Sequence, residues 1–165
     1  MHPLSTTRPP GRVLAVLAGA AATASVLAAA GGGRALAAGG APVPASAIGR
    51  LTAIAHRAAA INGDPAPAWI TAVMTTRAKA LSSATPGDYV AGSAHVRVFL
   101  ITMRGRFTAR EAAGPPGAKA PTGRYLSLVI DARTFRGLDF GIGPQPPPVP
   151  PASLGPVTYL AGRGP

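Results

Sequence analysis

The chain has 165 residues, sixteen Lys and Arg against five Asp and Glu, and no cysteine. That length supports one small domain, and the missing cysteines exclude disulfide stapling and a cysteine-borne lipid anchor. The net charge of +11 favours adherence to anionic envelope polymers, phospholipid head groups or nucleic acid, but charge by itself supports only non-specific association. Fourteen of the sixteen bases are Arg, and with so much Ala, Gly and Pro the bias reflects GC-rich coding as much as guanidinium chemistry.

Arg8 and Arg12 precede an uncharged, proline-free run from Val13 to Ala30 in which nine residues are Ala. This is the pattern of a secretory signal, and Ala35-Leu36-Ala37 fits the small-residue cleavage rule, so residues 1–37 read as a signal peptide. An uncleaved leader would instead anchor the chain on the outer face of the cytoplasmic membrane. Cleavage removes Arg8, Arg12 and Arg34 and leaves thirteen bases against five acids, a net +8.

Residues 38–45 are almost wholly Gly, Ala and Pro and read as a flexible linker. The domain is expected over 46–143. Ile48, Leu51, Ile54, Ala55, Ala58 and Ile61 recur at helical spacing, with Ser46 as N-cap and Asn62-Gly63 as a left-handed stop. Residues 68–77 read as a strand with β-favouring residues on both parities, and 77–83 as a segment able to turn helical. Pro86-Gly87-Asp88 marks a turn.

The next strand carries Val96, Val98 and Leu100 on one parity and Phe99, Ile101, Met103 and Phe107 on the other. A bulge, a sharp twist or burial of both faces would each explain the change of apolar parity, and Gly105 is the candidate bulge. Residues 111–123 hold several breakers and no period, so they read as a long loop. Leu126, Leu128 and Ile130 then alternate with Tyr125, Ser127, Val129 and Asp131, and a turn capped by Asp131 leads to a strand with Leu138, Phe140 and Ile142. Residues 144–165 form a tail, with PQPPPVPP as a stiff extended spacer and Leu154, Val157, Tyr159 and Leu160 as a docking segment long enough to add a short edge strand.

Few residues promise chemistry. His56 and His95 lack further ligands at metal spacing, and no G-x-S-x-G motif occurs. The chain is therefore expected to be non-catalytic, with no cofactor and no metal. Asp131 and Asp139 flank one hairpin and would suit a paired-carboxylate hydrolase, although turn capping and charge balance against Arg133 and Arg136 are the commoner uses of such residues. Arg104, Arg106, Arg124, Arg133 and Arg136 are the candidate contacts for a carboxylate, a phosphate or a partner. No helix carries a basic stripe with interleaved aromatics, so specific nucleic-acid reading is not expected.

Through Arg104-Gly105-Arg106-Phe107, Pro121-Thr122-Gly123 and the Asp131-Ala132-Arg133-Thr134 turn, the chain resembles small uncharacterised secreted proteins of GC-rich bacteria. The turn also resembles that of PepSY-like domains, which look like half of a cystatin-type fold. It carries Phe135 where such turns usually place Gly, so either the turn differs or Gly137 takes that role. The resemblance implies inhibition or regulation of exported proteases, or a place in the envelope, and brings no catalytic residues.

The expected fold is α+β, one amphipathic helix on an antiparallel sheet of about four strands. Its helix face of Leu51, Ile54 and Ala58 should meet Leu126, Leu128, Ile130, Leu138 and Phe140. The expected function is a secreted binding or inhibitory module whose partner is another exported protein or an anionic envelope polymer. A basic, envelope-associated structural protein is the alternative, with membrane contact only if the leader is retained.

Overall fold

A computed structural model describes residues 40–84, 94–109 and 119–162. The expected signal peptide, the start of the linker, the Pro86-Gly87-Asp88 turn and most of the loop 111–123 lie outside the described residues. The domain is α+β. Helix α1 (Ala45–Ile61) is followed by β1 (Trp69–Thr76), α2 (Arg77–Ala84), β2 (Arg97–Thr108), β3 (Thr122–Asp131), β4 (Gly137–Gly143), a 3-10 turn at Pro151–Ser153, and β5 (Thr158–Ala161). The strands form one antiparallel sheet in the order β4-β3-β2-β1-β5.

The strand count is thus five, because the docking segment of the tail pairs with β1 along its outer side. The segment after β1 is a second helix. The second helix follows from one feature, apolar residues on both parities of β1 and β2. Such strands need cover above and below, and all but the last residue of β1 are buried.

On the first face, α1 lays Ala47, Leu51, Ala55 and Ala59 against Ile70, Ala72, Met74, Phe99, Ile101, Met103, Leu126 and Phe107. The buried stripe has a spacing of four and is mostly alanine, which lets the helix approach the sheet closely, while Ile48, Ile54 and Ala58 are half-buried along its flanks. The expected meeting with Leu138 and Phe140 does not occur. These side chains are 38% and 46% exposed, because α1 packs over β2 and β5. A helix about 10 Å wide on that side cannot reach an edge strand two strand spacings, roughly 10 Å, beyond β2.

On the second face, α2 contributes Ala80 and Leu81, and the tail contributes Leu154, to cover Val73, Val98, Leu100 and Val129. The proline-rich segment is more than a spacer here. Val149 packs at the edge of this cluster and its carbonyl accepts a 2.6 Å hydrogen bond from Ser83 Oγ.

The ends of α1 also differ from expectation at one side and agree at the other. The helix begins at Ala45 behind Pro44, with no side-chain cap, and Ser46 lies inside its first turn. Residues 40–44 are docked rather than free: Val43 is buried, and Gly40 N–H donates to Leu154 O at 2.9 Å. At the C-terminus Gly63 adopts φ +89°, Gly63 N–H donates to Ala60 O and Asp64 N–H to Ala59 O. These are the two bonds of a Schellman stop, which requires the left-handed residue that glycine supplies.

Candidate partner-binding surface

The five candidate arginines divide between the two ends of the sheet. Arg104, Arg106 and Arg124 lie where β2 ends and β3 begins, whereas Arg133 and Arg136 lie in the β3–β4 turn, beside the start of β2 at Arg97. The seven residue steps from Arg97 to Arg104 separate the groups by about 23 Å of strand.

The first group is held by a bulge. The β2–β3 register slips between Arg104 and Phe107, where Gly105 approaches the Asp64 carboxylate too closely for a Cβ. Arg106 N–H donates to Asp64 Oδ2 at 2.7 Å, and Thr108 N–H to Asn62 O at 2.8 Å, so the stop of α1 pins the bulge. Arg106 and Arg124 line a groove of about 540 Å³ with Phe107, Thr108, Thr122, Gly123, Pro144 and Gln145. Arg133 borders a second groove of about 460 Å³ with Arg97, Asp131, Phe99 and Pro44.

Asp131 and Asp139 serve separate partners. Asp131 Oδ1 accepts from Arg133 N–H (3.0 Å), Thr134 N–H (2.7 Å) and Thr134 Oγ1 (2.8 Å). The Thr134 amide above all, then its hydroxyl, hold this carboxyl below its ordinary 3.8 against the opposing effect of desolvation, with lesser help from the Arg133 amide and charge. Asp139 instead forms a two-point pair with Arg77 of α2, Nε to Oδ2 at 3.1 Å and Nη2 to Oδ1 at 3.2 Å. Asp139 is not among the residues lining the groove that Asp131 borders. Each carboxylate therefore has local structural work. Asp131 caps its turn, as its place in the sequence predicts, whereas the Arg77–Asp139 pair joins residues sixty-two apart and leaves no local sequence signal.

The turn places Phe135 itself in the left-handed region, at φ +61°, and neither a changed backbone nor Gly137 relieves it. What offsets the strain is packing. The Phe135 ring lies 5.7 Å from that of Phe99, and Arg50 of α1 sits 4.3 Å above its centroid.

Among the described residues, no strand pairs with the outer edge of β4. Of its seven residues three are glycine, and Leu138 and Phe140 are exposed. Natural edges are commonly guarded by charge or proline, yet the one charge within β4, Asp139, is turned onto Arg77.

A further feature lies on the second face, next to Ala84 at the end of α2. The register sets Thr71, Thr102, Ser127 and Gly141 in one row across four strands, and Trp69, Arg104, Tyr125 and Gly143 in the next. The Trp69 and Tyr125 rings meet at 6.2 Å. Thr71, Thr102 and Ser127 are buried, and Trp69 Nε1 and Thr102 Oγ1 have no hydrogen-bond partner among the described residues. An unmade buried hydrogen bond costs about 1–3 kcal/mol. The hydroxyls at 71, 102 and 127 share a parity within their strands, a signal that exists in the sequence but acquires meaning only once the register aligns them.

His56 and His95 are exposed, and among the described residues no three His, Asp or Glu side chains are grouped to hold a metal ion. No helix among the described residues is long and apolar enough to cross a membrane. No protein-family model, no curated protein and no solved structure matches the chain.

Proposed function

We propose that this protein is an exported, non-catalytic binding or inhibitory module that captures an extended acidic segment of another exported protein along β4. The observation that carries this reading is the outer edge of β4, unpaired among the described residues, with Leu138 and Phe140 exposed on the strand. An extended segment that adds to such an edge gains main-chain hydrogen bonds, while alternate side chains rest on the apolar strip. The glycines of β4 leave room for an approaching backbone. Arg136 immediately before the strand, and Arg106 and Arg124 in the groove that reaches Pro144 after it, favour an acidic segment.

Export rests on the leader pattern of residues 1–37. An exported protease as the partner rests on the resemblance to PepSY-like and cystatin-like domains.

The test is affinity capture from the culture supernatant of the producing cells, with wild type compared with L138D/F140D and R106Q/R124Q, each confirmed folded by circular dichroism. The expected result is a partner retained by wild type, lost with the β4 variant, and held in a more salt-sensitive way by wild type than by the arginine variant. Equal retention of that partner by L138D/F140D overturns the reading. Retention only on cell envelopes, released by salt and indifferent to β4, supports the basic envelope-protein alternative instead.

A further inference from the structure

The polar half of the second face is built unlike the rest of the sheet. Where α2 and the tail cover it, the face is apolar: Val73, Leu100 and Val129 form one row. One row further it becomes a band of hydroxyls, and the row after that holds Trp69, Arg104 and Tyr125. A polar row that served only to face water would be exposed. Here Thr102 is 1% exposed and Trp69 8%, and both carry an unpartnered polar atom.

The chemistry of the three groups converges. The indole Nε1–H is a donor only, a threonine hydroxyl donates readily, and a guanidinium is a permanent cation with several donors. Trp69 and Arg104 are paired across β1 and β2, and Thr102 lies two residues before Arg104 on the same side of β2, about 7 Å along the strand. Arg104 is exposed, and no ion pair among the described residues occupies it. Beside this cluster, Tyr125 and Ser127 open into a cavity of about 230 Å³ whose other walls include Gly141, Gly143 and the Pro146–Pro148 run.

We propose that Trp69, Thr102 and Arg104, with the Tyr125–Ser127 cavity beside them, form a binding site for a small organic carboxylate with an apolar or aromatic body. The carboxylate accepts hydrogen bonds from Trp69 Nε1 and Thr102 Oγ1 and pairs with the Arg104 guanidinium, whose planar fork matches two carboxylate oxygens. The body lies against the Tyr125 ring and the proline walls. One guanidinium balances a monoanion, which disfavours a phosphate dianion. This site is separate from the β4 edge, so its fate does not depend on the proposed partner.

Trp69 is the only tryptophan in the chain, so an ¹⁵N-labelled sample gives one indole N–H resonance, a direct reporter of one of the three groups. Benzoate is the probe, with benzamide as its uncharged counterpart and inorganic phosphate as the alternative anion. The expected result is a saturable downfield shift of the indole proton at benzoate concentrations up to about 10 mM, with affinity falling roughly ten-fold or more in R104Q and T102V and for benzamide. Arg104 is exposed, so R104Q keeps the test valid if T102V fails to fold. An indole proton that benzoate leaves unmoved, or the same affinity in R104Q, overturns the proposal, and equal binding of phosphate overturns its assignment to carboxylates.

Discussion

Phe135 shows how a single residue can stand against its own backbone preference. A non-glycine residue in the left-handed region costs about 1–2 kcal/mol, and this one packs against both the Phe99 ring and the Arg50 guanidinium. Removing the ring while keeping or relieving the strain separates the two effects. F135G should be more stable than F135A by about 1 kcal/mol, the reverse of their usual order, as read from urea midpoints at constant slope. Asp131, four residues earlier, gives a prediction in pH. Its folded-state pKa lies below the ordinary 3.8, so its contribution is fully present above that value and is lost as pH falls through the lower folded one. The difference in melting temperature between wild type and D131N should therefore be present at neutral pH and close in strong acid. A gap that persists there would assign the effect to the shape of the turn and not to its charge. Both residues were visible in the sequence as a turn. The positive φ was foreseen only as a requirement of the turn type, since nothing local reveals that Phe99 and Arg50 would compensate Phe135.

At the scale of elements, the Arg77–Asp139 pair ties the first residue of α2 to the edge strand β4. Its side chains are 23% and 27% exposed, so solvent screens the attraction and a coupling of about 0.5–1 kcal/mol is expected. A double-mutant cycle with R77Q and D139N should return that value at low salt and less at high salt. A coupling of zero would mean that the pair adds nothing to the packing of Ala80 and Leu81 and the Ser83–Val149 hydrogen bond. The elements themselves were unequally legible. Helix α1 announced itself through its period and its Asn62-Gly63 stop, and β3 through strict alternation. In contrast α2 begins at Arg77 directly after Thr76, with no Gly, Pro or Asn to mark the junction. The face of β4 was misjudged because alternation tells which residues share a side, not whether a helix is wide enough to cover it.

For the whole molecule, the decisive element is the tail. Leu154 is 5% exposed in the second cluster, β5 closes the β1 edge, and Leu154 O receives the Gly40 N–H from the segment before α1. L154A should cost about 2–4 kcal/mol, measured by chemical denaturation, although this residue follows a proline run that reads as a spacer. A loss below about 0.5 kcal/mol would show that the second face is stable without the tail and that the expected boundary at residue 143 is the functional one.

Sequence by itself determined the class of the fold, the position of α1 and of the central strands, the bulge at Gly105 and the turn at Asp131, because these depend on interactions within a few residues: period, breakers and side-chain to backbone hydrogen bonds. Only the tertiary structure decided that the tail strand pairs with β1, which apolar side chains of β4 stay exposed, the pairing of Arg77 with Asp139, and the buried hydroxyl row beside Trp69 and Tyr125. Those features arise when register and helix width bring distant residues together or keep them apart, and pairings of that kind leave no periodic trace along the chain.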